Sequence, residues 1–88
     1  MNNSEFNVLI DKVKASGLEF KSYPNNYLIN VTDVDGVIQS FYSSTGTAIF
    51  RDGNNKYNSQ KHTEYGMTFE RFMSLCTGKE DILETFFN

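Results

Sequence analysis

Hydrophobic positions change their period twice along this chain. Phe6, Leu9, Ile10 and Val13 recur at helical spacing, and Val8 widens the stripe. Asn3 or Ser4 can cap the start, and Gly17 can end the run in a left-handed turn with Leu18 folded against it. A helix over about 5–16 is predicted. From Leu18 the period becomes two: Leu18 and Phe20 alternate with Glu19 and Lys21 as far as the turn signal Tyr23-Pro24-Asn25-Asn26. Tyr27, Ile29 and Val31 then alternate with Leu28, Asn30 and Thr32, and Asp35-Gly36 predicts a hairpin before the next apolar run. A further turn at Ser44-Thr45-Gly46 precedes the short strand Thr47–Arg51, which stops at Asp52-Gly53-Asn54-Asn55.

Lys56 to Tyr65 has too little apolar content for a central strand, so it reads as an edge strand or an extended loop. The helical period then returns. Thr68 can cap a helix presenting Phe69, Phe72, Met73 and Cys76, with Met67 placed to staple onto Phe72 and Gly78 as its stop. A last short helix over about 79–87 offers Ile82, Leu83, Phe86 and Phe87.

This order predicts one α+β domain over residues 1–88. It has an N-terminal helix, an antiparallel sheet of three to five strands, and two C-terminal helices packed on one sheet face. Strand residues of both parities include rings, Tyr27, Phe41 and Ile49 against Leu28, Ile38, Tyr42 and Phe50, so the uncovered face is expected to be partly apolar and a candidate interaction surface. A homodimer is compatible with such a face.

Size narrows the function. A chain of 88 residues buries roughly 60% of its unfolded surface, which leaves one thin core and no deep cleft. Binding is therefore expected on the surface. The lone Cys76 excludes an internal disulfide and favours a reducing, cytoplasmic setting. The opening residues carry no basic and apolar leader, and no membrane span is expected.

Candidate chemistry is sparse. Cys76 and His62 could form a nucleophile and base, but Cys76 lies in register with Phe69, Phe72 and Met73 and reads as core, while His62 in its polar segment reads as solvated or hydrogen-bonded. Asp33-Val34-Asp35-Gly36 and Asp52-Gly53-Asn54-Asn55 suggest calcium loops, yet neither continues into alternating oxygen ligands closed by a glutamate. Hairpin turns explain both. No catalytic residue, metal or cofactor is expected, and the chain reads as a non-enzyme.

Charge then singles out two stretches. The net charge of −3 argues against general nucleic-acid binding. Arg51, Lys56, Tyr57, Lys61, His62 and Tyr65 nevertheless form a weakly basic, ring-bearing ribbon, and Glu80, Asp81 and Glu84 make the C-terminal end acidic. Both groups are taken as partner-binding. Ribbons of this kind also serve single-strand binders, because rings stack on bases and cations track phosphates.

Across the whole chain, the small size, the wealth of Asn and Tyr, the acidic balance and the order of elements resemble accessory proteins of phages and mobile elements of Gram-positive bacteria, anti-CRISPR inhibitors among them. The resemblance implies a cytoplasmic, non-enzymatic protein that binds and sterically inhibits a host or defence protein, such as a nucleic-acid-processing nuclease, with carboxylates standing in for phosphates. A small nucleic-acid-binding regulator using residues 51–65 is the second reading.

Overall fold

Capping chemistry and apolar period explain each boundary seen in a computed structural model of the chain, which describes residues 1–54 and 59–88. Helix α1 spans Asn3–Ser16. Its cap is Asn2: the Asn2 side chain accepts the Glu5 amide N–H at 2.9 Å, and the Glu5 carboxylate accepts the Asn2 N–H at 3.1 Å. This reciprocal box starts the helix before the expected Asn3 or Ser4 cap, since it satisfies two otherwise orphaned donors. Gly17, at φ 79°, closes it. Phe6, Ile10 and Val13 are buried, whereas Val8 is 53% exposed and does not widen the buried stripe.

The five strands are β1 (Phe20–Tyr23), β2 (Leu28–Thr32), β3 (Ile38–Tyr42), β4 (Thr47–Arg51) and β5 (Lys61–Glu64). They form one antiparallel sheet in chain order, so every connection joins neighbours. Residues 61–64 of the expected edge strand or loop are the edge strand β5, paired to β4. Ile29 sits opposite Phe41 and Phe41 opposite Ala48, which sets one buried row across the three central strands. The buried parity is odd in β2 and β3 but even in β4, where Ala48 and Phe50 point inward and Ile49 outward. Number parity alone therefore sorts the strand rings wrongly.

Helix α2 (Phe69–Cys76) begins at Thr68, whose hydroxyl accepts the Arg71 N–H at 3.2 Å. It drives Phe72 between two sheet rings, Phe41 at 4.9 Å and Phe50 at 5.8 Å between centroids. Phe6, Ile10 and Val13 of α1 belong to the same buried cluster as Ile29, Val31, Phe41 and Phe72.

The expected helix over 79–87 is shorter. Gly78 turns left-handed at φ 85°. The Glu80 N–H then donates back to the Ser74 carbonyl, and Asp81 Oδ1 accepts the Glu84 N–H at 3.1 Å as a cap would. Only a π-helical turn, Leu83–Phe87, remains.

Two buried polar groups hold the sheet at its far end. Asp33 Oδ1 accepts the amide N–H groups of Asp35 and Val37, both at 2.9 Å, while Oδ2 accepts Gln39 Nε2 at 3.0 Å. The Gln39 amide also pairs with both backbone groups of Arg51, accepting its N–H at 2.7 Å and donating to its carbonyl at 3.1 Å. A side chain thus substitutes for a rung of the β3–β4 ladder, and all of these buried groups are satisfied.

Cys76 is fully buried. Burial, with the Asp33 charge adding to it, pushes its thiol well above the ordinary range. The folded state thus keeps the proton that the unfolded chain loses above pH ~8.5. The raised value therefore contributes stability that is complete below that pH and declines as pH rises further. Urea melts of wild type should lose about 1.4 kcal/mol per pH unit more than Cys76→Ala above pH ~9. Cys76→Ser should cost about 1–3 kcal/mol at neutral pH, and thiol reagents should label native Cys76 only on unfolding.

Candidate functional site

A groove of about 480 Å³ lies where the β2–β3 connection, the end of β4 and the chain after α2 meet. Its lining includes the carboxylates of Asp33, Asp35, Asp52, Glu80 and Asp81. It also includes Val34 and Leu83, 56% and 50% exposed, and the buried Leu75 and Ile82. A hollow of about 300 Å³ adjoins it, sharing Asp52 and Leu83 and adding Glu84 and Phe87.

The carboxylates are not equivalent. Asp33 is spent inside the fold. Asp52 is partly committed: its Oδ1 accepts the Asn54 and Gln60 N–H groups at 3.1 and 3.2 Å. Glu80 faces Arg71 at 3.6 Å, with both side chains well exposed, a pairing worth at most about 1 kcal/mol and easily exchanged. Arg51, the one cation lining the groove, is engaged at Nη1 by the Ile38 carbonyl at 2.9 Å and the Ser40 hydroxyl at 3.1 Å. Among the described residues no three His, Cys, Asp or Glu side chains gather as a metal site. The acids share the lining of the groove with the apolar side chains of Val34 and Leu83.

The turn that carries Leu83 and Glu84 is held by stacked rings. Phe86 lies 4.7 Å from Phe50 and 4.6 Å from His62, nearly parallel to both. His62 Nε2 in turn meets Glu64 Oε1 at 2.7 Å. His62, expected to be solvated or hydrogen-bonded, is hydrogen-bonded and also half-buried under Phe86, because its strand position faces the same side as Phe50.

The other side of the sheet differs. Tyr23, Leu28, Tyr42 and Thr47 form one row across β1–β4, and Lys21, Asn30, Ser40, Ile49 and Thr63 the next. Arg51 and Lys61, paired opposite one another, belong to a third. Tyr23 and Ile38 are 43% and 51% exposed.

The expected partner-binding residues thus divide. Glu80 and Asp81 line the groove and Glu84 the hollow beside it. Lys61 is exposed on the edge strand, and Tyr65, one residue beyond it, is 78% exposed. Lys56 and Tyr57 lie outside the described residues. Asp33 and Val34 stood out in the sequence only as part of a hairpin turn resembling a calcium loop, and Gln39 did not stand out. The signals for them were the Asp-x-Asp-Gly turn, whose first carboxylate closes an Asx-turn, and a glutamine at an inward strand position beside Phe41.

No protein-family model, curated protein or solved structure matches this chain. Among the described residues no helix is long and apolar enough to cross a membrane.

Truncating the ring that fixes the groove's C-terminal wall tests the geometry. Phe86→Ala should lower stability by about 2 kcal/mol, as a half-buried ring with two stacking partners is lost. Amide hydrogen exchange should rise in residues 83–87 while α2 stays protected.

Proposed function

We propose that this chain is a non-enzymatic binding protein whose acidic groove receives a basic segment of a partner protein. The observation that carries the reading is that one groove is lined both by the exposed apolar side chains Val34 and Leu83 and by the carboxylates of Asp35, Asp52, Glu80 and Asp81. A lysine or arginine presents the complementary chemistry, with an aliphatic stem for the apolar side chains and a cationic head for the carboxylates. The carboxylates steer encounter and the apolar contacts slow release.

A protein that fills a partner's cationic surface in this way competes with whatever anion that surface normally holds. Inhibition of a host or defence protein, such as a nucleic-acid-processing nuclease, is the role we assign. It needs no catalytic group on this chain, and it fits a thiol that burial keeps protonated. The reading takes the C-terminal helical elements to cover one sheet face together with α1, so that the groove stands on a rigid base.

Fluorescence anisotropy with a short labelled oligolysine peptide tests the groove directly. Wild type should bind in a salt-sensitive way. The combined Asp35→Asn, Glu80→Gln and Asp81→Asn variant should bind about tenfold more weakly with its fold intact. Leu83→Ser should weaken binding with the salt dependence unchanged. Equal affinity for all three proteins would remove the groove from the mechanism.

A further inference from the structure

We propose that the open sheet face is a docking platform for single-stranded nucleic acid, which borders the acidic groove at Arg51 and draws on Arg51 and Lys61 rather than on the ribbon 51–65 as a continuous segment. The first observation is a sorting of charge. Among the described residues the strands carry three cations of fixed charge, Lys21, Arg51 and Lys61, and one carboxylate, Glu64. Register puts all three cations on the open face: Lys21 is in row with Asn30 and Ser40, and Arg51 is opposite Lys61. Glu64, opposite the buried Ala48, points to the other side. In a chain of net charge −3 the open face is thus cationic, although Glu19 stands at the rim of a shallow hollow there beside Lys21 and Tyr23.

The second observation is the placement of rings. Tyr23 and Tyr42 share a row with Leu28 between them, which sets them two strand spacings, about 10 Å, apart. Neither hydroxyl has a hydrogen-bond partner among the described residues. Single-strand binders built on sheets combine these two features, rings that stack on unpaired bases and cations that follow the phosphates. Asn30, Thr32 and Ser40 intervene with groups that can meet base edges or sugars, and Ser40 already donates to Asn30 at 2.7 Å. A duplex fits poorly, because its bases are stacked on each other and give a flat sheet only phosphates to contact.

The probe is a fluorescein-labelled oligothymidine of about 12 nucleotides, within the range a single small domain covers, read by anisotropy at low salt. Wild type should bind it, and should bind a duplex of the same length more weakly. Tyr23→Ala and Tyr42→Leu should each weaken binding by about tenfold, the leucine keeping apolar bulk where Tyr42 is half-buried. Lys21→Gln and Lys61→Gln should each lower the slope of log affinity against log salt by about 0.7. The groove variant described above should bind the oligonucleotide undiminished, which separates this proposal from the protein-binding one. Thermal melts confirm that each variant is folded. Absence of binding by wild type, equal affinity for duplex, or ring variants that bind like wild type would each overturn the proposal.

Discussion

The ring of Phe72, held between Phe41 and Phe50, is the contact on which the rest of this structure depends. It brings α2 onto the sheet, and the chain after α2 then reaches the sheet again through Phe86, which stacks on the far side of the same cluster. A domain this small can fill only one such layer. Among the described residues no helix packs on the opposite sheet face, and Lys21, Tyr23 and Lys61 stay exposed there. Functional surface is thus a consequence of a core that is one layer thick.

The buried polar network determines the shape of the groove. Asp33 and Gln39 satisfy one another and the Arg51 backbone, holding the β2–β3 connection against the end of β4. A buried network of this kind stabilises only while every member is paired. Losing the Gln39 amide would leave both Arg51 backbone groups and one Asp33 oxygen without partners. The turn that brings Asp35 to the groove is held in place by that completeness.

Much of the fold is legible in the residue pattern, because burial imposes its period on the chain. The spacing of Phe6, Ile10 and Val13, the alternation through β1–β4, the Thr68 cap and the register of Cys76 with Phe69 and Phe72 all reflect one buried face. Val8, expected to widen the α1 stripe, lies at about 100° per residue on the side of the helix opposite Phe6 and stays exposed. What the pattern otherwise misses is tertiary. The helix expected from Lys79 is cut short because the Glu80 N–H turns back to the Ser74 carbonyl and the Asp81 side chain caps the Glu84 N–H. The inward parity switches between β3 and β4, and only register reveals it, so the strand rings could not be assigned to faces beforehand. The acids of the C-terminal end stood out from charge alone, but their meeting with Asp35 and Asp52, distant in sequence, is a product of the fold. His62 shows the same limit: its polar neighbours suggest a solvated or hydrogen-bonded ring, and it is bonded to Glu64, but only its strand position reveals that it lies under Phe86.

In the function proposed for this chain, a cationic ligand is received by the acidic groove. Amide chemical-shift mapping with the ¹⁵N-labelled protein and oligolysine tests this most directly. The account predicts saturable shifts confined to residues 33–37 and 78–84, with β1 and the Tyr23–Tyr42 row unchanged. Shifts scattered over every exposed carboxylate, Glu5, Asp11 and Glu70 included, would contradict it and reduce the groove to ordinary surface charge.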